Sequence, residues 1–107
     1  MYRNPVIRDG DMSSGHTIGN CWWPPKALTA RNARNVFANG LLIGVETDDF
    51  LPHKGISCKV WHKGSMRKLA EGAINVFANG LAVGRSGDII HCGDYAEEAS
   101  EDVFAGP

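Results

Sequence analysis

The sequence contains little that would place this protein in a membrane or on nucleic acid. No apolar stretch approaches the roughly 20 residues needed to cross a bilayer, and residues 1–5 contain no apolar signal-peptide region. Lys plus Arg (11) nearly balance Asp plus Glu (12), so no basic patch favours nucleic acid. We therefore expect a single domain over residues 1–107, made in the cytoplasm without a signal peptide.

Cysteine is scarce, and no compact Cys-x-x-Cys pair occurs. The three cysteines, Cys21, Cys58 and Cys92, lie far apart. An odd number of cysteines in a chain expected in the cytoplasm argues against a disulfide framework. We expect Cys58 to be a small buried apolar residue. Glycine, by contrast, is frequent at 13 residues, which favours tight turns over long helices.

The strongest positive feature is an internal repeat. Residues 35–41 read Asn-Val-Phe-Ala-Asn-Gly-Leu, and residues 75–81 repeat them unchanged. Asn-Gly between apolar runs predicts a β-hairpin, because a type I′ turn needs positive φ at both central residues. The sequence therefore predicts two hairpins, formed by residues 34–38 with 41–45 and by residues 74–78 with 81–85.

A third copy of the repeat is divided between the two ends of the chain. Residues 102–106 repeat the first strand, and residues 5–11 align with the return strands in 82–88 and 42–48. Pairing of the two ends would close a third unit and leave few free strand edges. We therefore predict a small, mostly β domain of three pseudo-threefold hairpin units.

Long loops separate the three units at residues 12–33, 49–73 and 89–101. We expect these loops to be irregular, with a helical turn at 68–72 or 95–101. An Asp opens each loop, and such residues bond nearby backbone amides in turns. We interpret Asp11, Asp48 and Asp88 as turn residues rather than catalytic carboxylates.

Each loop also carries a soft metal ligand at nearly the same distance from its Asp. His16 and His53 follow Asp11 and Asp48 by five residues, and Cys92 follows Asp88 by four. Equivalent positions in a pseudo-threefold fold converge near the axis. Histidine and thiolate ligands suit zinc better than magnesium or calcium.

A closed tetrahedral zinc site needs a fourth protein ligand. His62, in the longest loop, is the best candidate. His91, adjacent to Cys92, is an alternative. So is Cys21, which precedes the first repeat much as His62 precedes the second. Four ligands would leave no open metal position, so we expect no enzyme activity.

Aromatic residues mark two further features. Trp22 and Trp23 with Pro24 and Pro25 are interpreted as a packing cluster under a long loop, with a recognition surface as the alternative. The repeated phenylalanines are expected at equivalent positions in the core or the base: Phe37, Phe77 and Phe104.

In this order, these motifs resemble the PAAR repeat, whose core is Pro-Ala-Ala-Arg. The pattern is Asn-Val-Phe-x-Asn-Gly, a short apolar segment, Arg and Gly-Asp. Residues 5–8 (Pro-Val-Ile-Arg) match the core most closely, whereas 41–45 and 81–85 are degenerate, with Val45 where Arg would stand. Gly15-His16, Pro52-His53 and Cys92-Gly93 extend the resemblance to nearly the whole chain.

The resemblance implies a cone-shaped β-fold with one structural zinc ion at its apex, held by His16, His53, His62 and Cys92. Its base would cap a trimeric β-helical spike, one chain per trimer, at the tip of a phage tail or a type VI secretion machine. The monomeric cap would contact a target membrane transiently during puncture. Phage and secretion origins, and zinc and iron, stay open. The alternative is a free-standing zinc-binding structural or adaptor domain.

Overall fold

The computed structural model describes residues 4–106, which form short β-strands and no α-helix. The strands are β1 (His16–Ile18), β2 (Cys21–Trp23), β3 (Leu28–Thr29), β4 (Phe37–Ala38), β5 (Leu41–Leu42), β6 (Asp49–Phe50), β7 (His53–Lys54), β8 (Trp61–His62), β9 (Phe77–Ala78) and β10 (Leu81–Ala82), with a 3-10 helix at Gly64–Arg67. The mostly β prediction is confirmed. Of the predicted domain, residues 1–3 and 107 lie outside the described residues.

The two predicted hairpins form at the predicted turns. β4 pairs with β5 and β9 pairs with β10, both antiparallel. Asn39 and Gly40 have φ of 56° and 77°, and the second Asn-Gly pair has 51° and 81°. The regular ladders are shorter than predicted: beyond them, Ile43 and Val83 each donate one hydrogen bond within their own hairpin and also form bridges to neighbouring units.

The two ends of the described chain close the third unit as predicted. Pro5 pairs with Phe104 in the same register that Phe37 has with Leu42 in the first hairpin. The Val6 N–H donates to the Val103 carbonyl at 2.9 Å. The third hairpin is therefore assembled from both ends of the chain.

A closed ring of backbone hydrogen bonds joins the three units. The Ile7 N–H donates to the Gly84 carbonyl (3.1 Å), the Gly84 N–H to the Gly44 carbonyl (2.9 Å), and the Gly44 N–H to the Ile7 carbonyl (2.8 Å). These three residues occupy equivalent positions in the repeat alignment. The ring therefore supports the predicted pseudo-threefold arrangement directly.

Only one of the three equivalent positions in the ring carries a side chain. A Cβ on Gly44 would lie 2.7 Å from Cγ1 of Ile7, and a Cβ on Gly84 would lie 2.8 Å from its Cδ1. The Ile7 side chain is 1% exposed, so it fills this space completely. The two glycines are required because a Cβ on either would crowd both Ile7 and a leucine, Leu28 at 2.5 Å from Gly44 and Leu69 at 2.6 Å from Gly84.

We predict that Gly44→Ala destabilises the protein by about 2 kcal/mol, because overpacking a filled core costs about 1–3 kcal/mol. Urea unfolding measures this loss. Gly40→Ala is the control, since a Cβ there meets nothing within 4 Å and the substitution costs only the backbone strain of its positive φ of 77°. Ile7→Ala should reduce the cost of Gly44→Ala but not that of Gly40→Ala. Equal costs of Gly44→Ala in both backgrounds would contradict crowding by Ile7 and leave Leu28 as the residue that crowds Gly44.

The three long loops are more regular than predicted, because they pair with one another. The antiparallel pairs are Leu28 with Phe50, Leu69 with Ile90 and Ser13 with Ala96, each joining one loop to the next. The expected helical turns at 68–72 and 95–101 were wrong. Backbone N–H groups there donate to neighbouring loops, so the local helical hydrogen bonds are not made.

The three loop-opening aspartates stabilise turns, as interpreted. In each unit, Oδ2 of the Asp accepts from the backbone N–H three residues earlier: Asp11 from Arg8 (2.9 Å), Asp48 from Val45 (3.0 Å) and Asp88 from Arg85 (2.8 Å). Both arginines also form ion pairs with their Asp.

In the middle unit Val45 stands where the other two units have the arginine that pairs with their Asp. There, Oδ1 of Asp48 instead accepts hydrogen bonds from the backbone N–H groups of Arg31 (3.2 Å) and Asn32 (3.0 Å).

Two apolar clusters follow one another from the hairpins toward the loops. The hairpin cluster comprises Val6, Ala33, Ala38, Ile43, Val45, Ala78, Val83 and Ala105. The loop cluster comprises Ile7, Leu28, Phe50, Leu69, Ile90 and Ala96. In each unit the chain runs from the hairpin cluster through the ring to the loop cluster. The predicted metal ligands come next along the chain.

Candidate metal centre

The structure brings the four predicted ligands together. His16 lies on β1, His53 on β7 and His62 on β8, and Cys92 lies in the third loop. One nitrogen or sulfur atom from each lies within 4.8 Å of all the others. His91, one of the alternatives, is exposed and lies outside this group. The four side chains form a group that could hold a metal ion.

The closest distances match those of a tetrahedral shell. Nε2 of His53 lies 3.0 Å from Nδ1 of His62 and 3.6 Å from Sγ of Cys92. With zinc–nitrogen bonds of about 2.0–2.1 Å and zinc–sulfur bonds of about 2.3 Å, tetrahedral ligands are about 3.3 Å (N to N) and 3.6 Å (N to S) apart. These two distances are close to those of a zinc shell, and all the ligand atoms lie within 4.8 Å of one another.

Outer hydrogen bonds orient two of the imidazoles toward the centre. Nδ1 of His53 donates to the Pro24 carbonyl at 2.9 Å, which leaves Nε2 free to bind a metal. Nδ1 of His16 bonds to the carboxylate of Asp94, and its Nε2 is buried without a partner in the described chain. Such second contacts fix the tautomer of metal-binding histidines. A metal ion would satisfy the orphaned nitrogen of His16.

Asp94 is the functional residue that sequence reasoning missed. It is 1% exposed, bonds His16 and accepts the Ser13 hydroxyl at 2.7 Å. Its only signal in the sequence is a position two residues after Cys92, which does not distinguish it from other acidic residues. Its carboxylate adds a negative charge beside a site that would hold a cation.

Trp23 covers one side of the centre. Its ring stacks on His62 at 4.2 Å and on His16 at 4.9 Å, and its indole N–H donates to the Val60 carbonyl. The packing interpretation of the Trp-Trp segment is therefore confirmed for Trp23. Trp22 is 38% exposed and does not belong to this packing around the metal centre.

Burial sets the protonation states of two ligands. Burial, followed by the charges of His53 and His16, lowers the pKa of His62, which favours the neutral imidazole that a metal requires. Burial raises the pKa of the Cys92 thiol, so this sulfur is protonated until a metal displaces its proton. Metal binding would therefore release a proton and weaken as the pH falls. Four protein ligands complete a tetrahedral shell, as in structural sites.

The expectation of no disulfide was wrong. Cys21 and Cys58 form one, with Cα atoms 5.4 Å apart and a sequence separation of 37 residues. Cys21 is therefore not an alternative ligand, and Cys58 is exposed rather than buried. A bridge between Trp22 and Ile56 brings the two cysteines together. Gly55 leaves space for them, because a Cβ there would collide with both sulfurs.

Comparison with protein-family models and with curated proteins gave no match. In the described part of the chain, no helix has the length and apolarity to cross a membrane. The fold and the site together define a small β-domain with pseudo-threefold pairing and a His/Cys group that could hold a metal.

Proposed function

We propose that this protein is a structural tip that caps and sharpens the trimeric β-helical spike of a contractile injection apparatus and aids membrane puncture. The observation that carries the proposal is the ring of hydrogen bonds among Ile7, Gly44 and Gly84. A fibre of three identical chains ends in three equivalent surfaces. One chain with three equivalent hairpins can contact all three, and such a heterologous contact is complete at one cap per trimer.

The hairpin end of the molecule has the surface chemistry that such a contact needs. The three repeated phenylalanines lie at equivalent positions and are exposed by 60% (Phe37), 59% (Phe77) and 41% (Phe104). Ile74, just before the second hairpin, is 81% exposed. These residues belong to the base rather than the core. Exposed apolar side chains repeated on one surface favour a protein interface.

The metal centre would stabilise the puncturing tip, at the end of the protein away from the hairpins. In each unit a ligand follows a loop-cluster residue along the chain: His16 after Ile7, His53 after Phe50 and Cys92 after Ile90. We infer that one structural zinc ion is held there by His16, His53, His62 and Cys92, since three imidazoles and a thiolate suit zinc. The body measures 38 × 29 × 23 Å, and a taper toward the metal would give the implied cone.

The proposal includes no catalytic step and no nucleic acid. The protein would be made in the cytoplasm and assembled on a phage tail or delivered by a type VI machine. It would meet the target membrane transiently. The alternative remains a free-standing zinc-binding structural or adaptor domain, which would keep the metal centre but bind no spike.

Co-expression with the β-helical spike trimer encoded in the same genome tests the proposal. We expect co-purification at one chain per trimer, measured by native mass spectrometry. Phe77→Asp should weaken this complex at least tenfold, because it places a charge in an apolar contact. Ile56→Asp, an equally exposed residue near the metal end, should have no effect. Failure of the wild type to bind any such trimer would favour the alternative.

A further inference from the structure

A small surface that combines apolar and basic side chains covers the outside of the metal centre. The hairpin β1–β2 and the hairpin β7–β8 are joined by the pair Trp22–Ile56. Paired residues share a face of a sheet. His53, His62 and Trp23 lie on the buried inner face. The opposite side, here called the outer face, carries exposed residues from all four strand segments: Thr17, Trp22, Lys54, Ile56 and Trp61.

Two further exposed apolar side chains lie beside this surface, at the turns of the two hairpins. Ile18, at the β1–β2 turn, is 62% exposed, and Val60, at the β7–β8 turn, is 51% exposed. The Cys21–Cys58 disulfide ties the two turns together. Single aliphatic side chains on fixed turns suit shallow insertion into a soft interface better than packing into a protein groove.

Charge is strongly segregated at the same place. Residues 51–70 contain five Lys or Arg residues and no acidic residue, a charge of +5. The whole chain has a net charge of −1, so the residues outside 51–70 carry a net charge of −6. Arg67 and Lys68 face Asp49. The lysines around the outer face are exposed, and no ion pair joins them to another described residue: Lys54, Lys59 and Lys63.

The combination of lysines with exposed tryptophan and aliphatic residues is typical of surfaces that bind membranes. Tryptophan favours the headgroup region, and lysines are attracted to anionic lipids. Nucleic acid would use the lysines and the tryptophans but would gain nothing from Ile18, Ile56 and Val60. A phospholipid surface uses all three kinds of side chain.

We propose that the outer face docks on membranes that contain anionic phospholipids. Trp22, Ile56 and Trp61 enter the headgroup region, while the three free lysines contact lipid phosphates and carboxylates. The inference deepens the proposed function and rests on it only for the orientation of this face toward a target membrane. Docking would hold the tip on the membrane at the moment of contact.

Vesicle co-sedimentation of the full, zinc-loaded chain tests the proposal. We expect binding to phosphatidylcholine vesicles that contain phosphatidylserine, not to phosphatidylcholine alone, with a blue shift of tryptophan emission and a loss of binding in high salt. Lys59→Glu changes the charge by two, and each charge near the surface contributes about fivefold, so binding should fall on the order of twentyfold.

The chain offers matched controls for both kinds of contact. Arg34 is also exposed and has φ of 61°, against 57° for Lys59, but it lies at the hairpin end. Arg34→Glu should therefore bind vesicles like the wild type. Trp61→Ser should reduce binding and abolish much of the blue shift, whereas Ile74→Ser at the base should not. Unchanged melting of each variant shows that the fold is kept.

Several results would overturn the proposal. Equal binding to both vesicle types would remove the electrostatic argument, and equal losses for Lys59→Glu and Arg34→Glu would remove the assignment to this face. Binding of duplex DNA with the same dependence on Lys59, but no vesicle binding, would assign the face to a polyanion. If vesicle binding fails while spike capture persists, only this inference falls. If spike capture alone fails, only the proposed function does.

Discussion

Removal of the metal is expected to lower the melting temperature by about 15–30 °C. A ligand present at about a thousand times its dissociation constant stabilises the folded state by about 4 kcal/mol. Each kcal/mol shifts the melting temperature by about 4–8 °C in a domain near this size. Cys92→Ala should reproduce most of the loss, because it removes the one thiolate from a group of four ligands. Calorimetry with metal analysis of the same sample measures both effects.

His91→Ala provides the matched control for Cys92→Ala. His91 is the neighbouring residue, a soft ligand and exposed, yet it lies outside the metal group. This variant should keep its metal and melt like the wild type. Metal affinity should also fall from neutral toward acid pH, because protons compete for the Cys92 thiolate and the imidazoles. Wild-type protein free of bound metal, together with unchanged melting of Cys92→Ala, would contradict the zinc assignment.

The repeat made the central architecture predictable. A heptapeptide that recurs unchanged has the same local preference twice, and its Asn-Gly pair favours the same turn in both copies. The alignment of residues 5–11 with 42–48 and 82–88 also predicted which backbone groups would be equivalent. These groups form the ring at Ile7, Gly44 and Gly84. The metal group followed from the same register, with His62 as its least constrained member.

The loops were predicted less well because their structure depends on partners distant in sequence. Leu69 and Ala96 lie in segments where local pattern favoured a helical turn. The Leu69 N–H instead donates to the Asp48 carbonyl (2.9 Å), and the N–H of Glu97, next to Ala96, donates to the Met12 carbonyl (3.3 Å). Tertiary pairing of this kind overrides weak local preference. Asp94 escaped prediction for a related reason, since its role depends on burial beside His16 rather than on spacing.

The odd number of cysteines led to the wrong expectation of no disulfide, because the three cysteines have two different roles. Cys21 and Cys58 pair with each other, and Cys92 joins the metal group. An odd number is therefore compatible with one disulfide and one ligand. Nothing in the spacing distinguishes this division from three free thiols, since proximity is created by the pairing of Trp22 with Ile56.

The disulfide is expected to contribute almost as much stability as the metal. Closing a loop between cysteines 37 residues apart stabilises the folded state by about 4 kcal/mol through the entropy of the unfolded chain. The double variant Cys21→Ser with Cys58→Ser should therefore melt about 15 °C or more below the oxidised wild type. Thermal unfolding with and without a thiol-free reductant measures the difference.

The same variant should also lose its metal faster. The disulfide joins β2 to the β7–β8 turn, and three of the four ligands lie on the strands that it ties together: His16, His53 and His62. Freedom of either hairpin to move would open the ligand group, so a chelator should strip the double variant more quickly. The double variant should not respond to reductant, and reduced wild type should behave like it. If oxidised wild type and double variant melted together, the cross-link would have no stabilising role, and the ligand geometry would depend on β-pairing and the metal alone.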